Sequence, residues 1–381
     1  MAGKSNRERV TLAQVAARAG VSTTTASVIL SGREEGLSQF RLDTISRVRK
    51  CAERLGYRPN LLATSLSSDR STFFALIILL EGPEEDSYKT HWDLWRLEGR
   101  FLVGIIKTAA KLDLHPIIAG AKPDVDPHNI RSIERVIAGG VFGTIARTPN
   151  PALEKHLRFH QLRQGHPTVV VFPRRLSKWT SNVIDVDNIA LGQTVARLLE
   201  RGGRTKWAVV HYKNPCETHR YRCQGFQNVA DRLGVTVRKV QLPANVDELT
   251  AAGLVARGLR RLNADGVFAL DFKTAVGSLL GCLNIGLKPG SDVSLVGCDT
   301  SLWQTSTLPR ITSVDISWQR VGVRALEKLV ELSQAGEARF DNVLLAPEIT
   351  PGDTCPVPPD MMPPDRGPAA ANHLSRREPC G

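Results

Sequence analysis

Apolar residues recur at helical spacing from Leu12 to Leu55, then gather after Ser71 into short continuous runs separated by amphipathic stretches. The first helix carries Leu12, Val15, Ala16 and Ala19; Thr11 can cap its start and Gly20 stops it. Ser22 caps a second helix with Thr25, Ala26, Ile29 and Leu30, ended by Gly32. Ser38 opens a third over 39–55, with Leu42, Ile45, Val48, Ala52 and Leu55 on one side. Gly56-Tyr57-Arg58-Pro59 breaks it, and Asn60 caps the short segment LLATSL (Leu61 to Leu66).

Beyond Ser71, strand-like runs fall at 73–80, 116–119, 141–146, 168–172, 207–211, 266–270 and 293–297. Helical stretches between them include 97–112, 129–138, 188–201, 246–262 and 273–285. Strands alternating with helices predict parallel sheets covered on both faces. The runs 73–172 and 207–297 repeat one layout, so the chain is expected to form two doubly wound lobes with a cleft between them. In such sheets the loops after the strand C-termini build the ligand site. The expected organisation is disorder over 1–9, a helical domain over 10–58 and a hinge helix and linker over 59–71. A two-lobed α/β domain over 72–351 and a Pro-rich disordered tail over 352–381 complete it.

Charge sharpens this picture. Residues 1–70 hold 12 Lys/Arg against 6 Asp/Glu, half of the net +12 in under a fifth of the length, which suggests a polyanionic partner. The seven cysteines are odd in number and contain no C-x-x-C pair, arguing for reduced thiols. No stretch approaches the roughly 18–20 apolar residues of a membrane helix, and the polar start MAGKSNRERV has no apolar signal region. The expected location is the cytoplasm, with no membrane partner.

Residues 12–30 fit a helix-turn-helix: a helix, a turn containing Gly, and a helix beginning on a hydroxyl cap. Ala16 and Ala19 allow close helix crossing, while Thr23, Thr24 and Ser27 leave short polar groups on the outer face of the second helix. Such a helix can enter the major groove, and Ser22 with the helix N-terminus can meet phosphate. The alternative is a plain three-helix bundle, which the basic end and the small helix after Pro59 disfavour.

Here the sequence resembles the LacI/GalR family of bacterial transcription regulators, from about Val10 to about Pro351. The resemblance rests on VTLAQVAARAGVSTTTASVILSG (10–32) and RLGYRPNLLATSL (54–66). VIDVDNIALGQTVARLLERGG (183–203), RCQGF (222–226), VSLVGCD (293–299) and LPRITSVDI (308–316) follow in family order. It implies an N-terminal all-α helix-turn-helix domain followed by a two-lobed, periplasmic-binding-protein-like α/β domain. It further implies a homodimer on double-stranded, palindromic operator DNA, and a small-molecule effector between the lobes. The implied DNA-contact set is Thr11, Ser22, Thr23, Thr24, Ser27, Val28, Arg33, Asn60, Ala63 and Leu66, with Leu66 as the minor-groove wedge of the hinge helix. LLATSL is too short to be a stable helix alone, so its order would come from DNA or a partner. Val28 stands where many members carry Arg or Tyr; it can touch a thymine methyl but cannot bond guanine bidentately.

For the effector, the resemblance carries over Arg222 and Asp299, which could instead be a structural ion pair. Trp92 and Trp95 can stack on a ring or pack the lobe surface. Arg147 falls on a strand C-terminal loop, Arg174 stands where an acidic residue is common, and Asp271-Phe272 replaces an Asn-Asp pair. Arg147, Arg174 and Arg222 together favour an anion, so the effector class is a sugar, nucleoside or anionic metabolite. No P-loop, G-x-G-x-x-G or G-x-S-x-G appears, and no cofactor is implied. His156-x-x-x-His160 lacks a third ligand in the sequence and reads as a solvated helix face, with no metal expected. A transcriptional regulator is therefore favoured over a solute-binding protein of the same fold, over a regulator without effector binding and over an enzyme.

Overall fold

The chain is described by a computed structural model that covers residues 10–30, 37–58, 71–79, 92–121, 127–147, 151–172, 182–243, 246–300, 308–335 and 341–362. Among the described residues the N-terminal module is built on α1 (Leu12–Ala19), α2 (Thr23–Leu30) and α3 (Leu42–Leu55). Thr11 and Gln14 exchange backbone and side-chain hydrogen bonds as a capping box at the start of α1. Gly20 ends the helix in the left-handed region at φ 63°, where a side chain would be strained, and so makes the sharp turn into α2. Val15, Ala16, Ala19, Ala26, Ile29, Ile45, Val48 and Ala52 form the small core.

The third helix differs from the expectation at its start. It begins at Leu42, not 39; its N-cap is Arg41 with no side-chain cap bond, and Leu42 is 84% exposed. Fourteen residues extend about 21 Å, against about 12 Å for each eight-residue partner, so the first turn of α3 overhangs the core.

The remaining described residues build two six-stranded sheets. The strands are β1 (Phe73–Leu79), β2 (His115–Ala121), β3 (Thr144–Arg147), β4 (Thr168–Val171), β5 (Asn182–Val186) and β6 (Trp207–Tyr212). They continue with β7 (Val237–Leu242), β8 (Gly266–Ala269), β9 (Ser294–Gly297), β10 (Thr312–Asp315), β11 (Val343–Leu345) and β12 (Glu348–Thr350). The sheet orders are β11-β5-β4-β3-β1-β2 and β12-β10-β9-β8-β6-β7, and every pairing is parallel except β10 with β12. The chain passes between the sheets three times: after β5, after β10, and between β11 and β12.

Helices α4 (Trp92–Lys111), α5 (Pro127–Ala138), α6 (Pro151–Gln164) and α11 (Trp318–Ala335) serve the first sheet. Helices α7 (Asn188–Arg201), α8 (Glu217–Leu233), α9 (Glu248–Leu262) and α10 (Phe272–Asn284) serve the second. Alternation along β1 divides the layers: Phe74 and Leu76 share a core with Phe101 and Leu326, while Ile77 packs with Ile133 and Leu157. The second sheet repeats this, with Trp207 and Val209 toward Phe226 and Ala208 and Val210 toward Val255 and Leu279. A Cβ on Gly192 would fall inside the Arg222 carbonyl and one on Gly225 inside the Ile189 carbonyl, so α7 and α8 touch backbone to backbone. Gly104 and Gly322 do the same for α4 and α11.

The expected disordered tail is packed over its first residues. The Leu295 N–H donates to the Thr354 carbonyl at 2.9 Å, Thr354 Oγ1 donates back to the Leu295 carbonyl at 2.6 Å, and Cys355 is buried. Asp353 accepts two bonds from the Arg310 guanidinium, at 2.7 and 3.0 Å. These backbone bonds hold a segment that lacks apolar periodicity. No helix among the described residues is long and apolar enough to cross a membrane.

Candidate DNA-contact helix and inter-lobe cleft

In α2 the polar and apolar residues separate cleanly. Ala26 and Ile29 are buried, Thr23 and Thr24 are exposed, and Ser27 and Val28 are half-buried. Ser22 Oγ accepts the Thr25 N–H at 3.0 Å and lies 2.9 Å from Thr25 Oγ1. Its hydroxyl is therefore engaged in capping, and an anion there would meet the N–H groups of the first turn. Thr11 is likewise engaged in its capping box. Arg47, Arg49 and Lys50 are exposed on α3. Arg33, Asn60, Ala63 and Leu66 lie outside the described residues, as does Arg174 in the second candidate site.

The strand C-termini of both sheets meet around Arg222, which projects from α8 and is 3% exposed. Its Nε donates to Asn188 Oδ1 at 3.1 Å, and its Nη1 donates to the Leu270 carbonyl and to Asp299 Oδ2, the latter at 3.2 Å. Asp299 follows β9 in the left-handed region at φ 59°, and its other oxygen accepts the Trp318 indole N–H at 3.5 Å. The first lobe brings Arg147 from the end of β3. Its guanidinium lies 5.0 Å from the Phe172 ring centre and 5.2 Å from that of Trp318, and the two rings are 4.9 Å apart. Burial pushes the Asp185 carboxyl up to about 6, against the pull of the Val186 N–H and of Arg222 and Arg147.

A second cluster borders this one at the C-terminal ends of β6 and β8. Asp271 caps α10 through Thr274, and its other oxygen is 3.6 Å from His219 Nε2. His219 stacks on Tyr212 at 5.7 Å. Burial pushes the Cys216 thiol up, but its hydrogen bond to His219 and the charges of His219 and Arg222 outweigh this and bring it down to about 7. Burial alone would lower the pKa of His219; the bond to Cys216 and the charge of Asp271 raise it.

The structure thus gathers Arg147, Arg222 and Asp299 into one cluster linked through Trp318, with Arg222 and Asp299 paired, and makes Asp271 a helix cap. Phe272 is half-buried in the first turn of α10, and Trp92 and Trp95 fall in the first turn of α4. Asp185, Asn188, Phe172, Trp318, His219 and Cys216 were not singled out from the sequence. Asp185 and Asn188 lie inside VIDVDNIALG and Trp318 two residues past LPRITSVDI, so an aromatic or acidic residue at a strand C-terminus was the available signal.

Comparison with known proteins agrees with this geometry. Residues 11–60 match the model for bacterial regulatory proteins of the lacI family, and residues 195–355 match a periplasmic binding protein-like domain. The transcriptional regulator PtxS of Pseudomonas putida is 23% identical over 330 residues, covering 85% of this chain and 89% of that protein. The regulator AglR of Rhizobium meliloti is 25% identical over 323 residues, covering 83% and 84%. A lac repressor dimer bound to operator and an anti-inducer superposes with a TM-score of 0.73 at 17% identity, over 91% of this chain and 99% of that one. A complex of the regulator CelR with cellobiose gives 0.58 at 20% identity, over 91% and 100%. The chain is a LacI-family DNA-binding transcriptional regulator, not an enzyme, with a helix-turn-helix domain and a periplasmic-binding-protein-like effector domain.

Proposed function

We propose that this chain is a cytoplasmic repressor that binds a near-palindromic operator as a homodimer and is tuned by a small molecule held between its lobes. The observation that carries this reading is the outward face of α2, where Thr23 and Thr24 are exposed opposite the buried Ala26 and Ile29. Each protomer lays α2 in a major groove, with Thr23, Thr24, Ser27 and Val28 toward base edges and Arg33, Arg47, Arg49 and Lys50 toward phosphates. The segment from Asn60 through Ala63 to Leu66 forms the hinge helix in the minor groove, and Leu66 opens a base step. Two-fold symmetry of the protein selects two-fold symmetry in the DNA.

The effector is a hydroxylated or anionic small molecule. Phe172 and Trp318 offer ring faces, and Arg147, Arg222, Asp185 and Asp299 offer charged donors and acceptors around them. The solved relatives that hold cellobiose and ribose use the same fold for sugars. Selection of random duplexes by the full-length protein tests the DNA half of the proposal. The expected product is two inverted half-sites, and Thr23→Ala with Thr24→Ala weakens binding to it by at least tenfold while random-sequence binding barely changes. Enrichment of lone asymmetric sites, or equal loss on all DNA, contradicts it.

A further inference from the structure

We infer that Glu134, His156 and His160 form a three-ligand site for a divalent transition-metal ion of the zinc class, bridging α5 and α6 in the first lobe. His156 and His160 stand one helical turn apart on α6, and Glu134 reaches them from the neighbouring α5, supplying the third ligand that the sequence alone did not show. His156 Nε2 lies 3.1 Å from His160 Nε2 and 3.4 Å from Glu134 Oε1, and all three ligand atoms fall within 4.8 Å of one another. A tetrahedral ion with metal–nitrogen and metal–oxygen bonds of about 2.0–2.1 Å sets adjacent ligand atoms about 3.3 Å apart, so two edges of the triangle already have the bound spacing.

The outer shell is also in place. His160 Nδ1 is 2.7 Å from Gln164 Oε1. An amide oxygen only accepts, so Nδ1 carries the proton and Nε2 presents its lone pair to the cluster, as second-sphere partners of metal-bound histidines do. In that tautomer His156 Nε2–H can donate fully to only one of two acceptors, His160 Nε2 or Glu134. A cation satisfies all three lone pairs together.

The two helices do not need the ion to be positioned. Ile133, next to Glu134, and Leu157, next to His156, are buried with Leu153 against Ile77 and Ala146 of the sheet. The ligands are therefore carried on packed elements. The side chains of His156 and Glu134 remain 16% and 45% exposed, leaving a path for the ion and a coordination position for water. Two imidazoles and one carboxylate with an open position suit Zn²⁺ and Co²⁺ better than Ca²⁺ or Mg²⁺, which prefer oxygen-only shells.

The test uses the full-length, tag-free protein, stripped with a chelator and titrated with Zn²⁺ by calorimetry and with Co²⁺ by visible absorption. The expected result is one ion per chain, a Zn²⁺-induced rise in Tm, and cobalt bands without thiolate charge transfer. His156→Gln and His160→Gln each weaken that event at least tenfold with the metal-free Tm unchanged, and Cys216→Ser leaves it intact. Cys216, beside His219 and Asp271, is the competing donor set. Absence of stoichiometric uptake, an affinity unchanged from the parent protein in both histidine variants, or loss of the event only in Cys216→Ser overturns the assignment.

Discussion

Arg222 joins the lobe core to the cleft, and its position changes what its removal does. The guanidinium is almost wholly buried and bonded to Asn188, the Leu270 carbonyl and Asp299. Arg222→Ala removes the guanidinium donor from Asp299 Oδ2 and the Leu270 carbonyl together, so it is expected to cost about 3–5 kcal/mol of stability, measured by urea unfolding at pH 7. A change under about 1 kcal/mol would mean that the pair is not formed in solution. A contrast among cysteines gives a second residue-scale prediction. The Cys216 thiol is brought down to about 7, whereas burial pushes Cys223 up to about 11 and Cys282 up to about 12. At pH 7.5, iodoacetamide followed by peptide mapping should label Cys216 well before Cys223 or Cys282. His219→Ala should slow that labelling; an unchanged rate would remove His219 as the cause.

At the scale of elements, close helix crossings hold each lobe together. Gly192 and Gly225 allow α7 and α8 to meet at their backbones, so Gly225→Ala must push the helices apart, at a cost of about 3 kcal/mol seen as a lowered Tm. An unchanged Tm would show that the pair is looser than described. The proposed hinge segment, Leu61 to Leu66, lies outside the described residues, and six residues are too few for a helix that is stable alone. Leu66→Ala is expected to weaken operator binding about tenfold and reduce DNA bending in a circular-permutation gel assay. Equal loss on random DNA would count against the wedge.

These elements also show where the sequence was readable. Apolar runs such as Phe73–Leu79 and the hydroxyl- and Gly-marked ends of α1 exposed themselves through periodicity and capping. β10 did not, because three of its four buried residues, Thr312, Ser313 and Asp315, are polar and satisfied in place: Ser313 bonds Asp315, and Thr312 donates to the Cys355 carbonyl. β7 is an edge strand with mostly solvated side chains, and α8 places Arg222 on its buried stripe, so both lack the expected apolar pattern. Resemblance located Arg222 and Asp299, but Asp185 and Trp318 lie in β5 and α11, elements that periodicity did not reveal. The third metal ligand, Glu134, is twenty-two residues from His156, a separation that no local pattern reports.

At the scale of the whole molecule, three strand-to-strand passages tie the lobes, and Trp318 links Arg147 from one to Asp299 and Arg222 from the other. A ligand bridging these residues favours one lobe arrangement over others by its differential contacts alone. Because binding free energies are linked, a ligand that changes operator affinity by some factor must have its own affinity changed by the same factor when operator is present. The most direct measurement takes a small molecule that raises the Tm of the full-length protein and determines both dissociation constants, each with and without saturating partner. The account predicts a coupling of at least fivefold, equal in the two directions and lost in Arg147→Gln with operator binding retained. A ligand that binds in the cleft while operator affinity stays the same would contradict it.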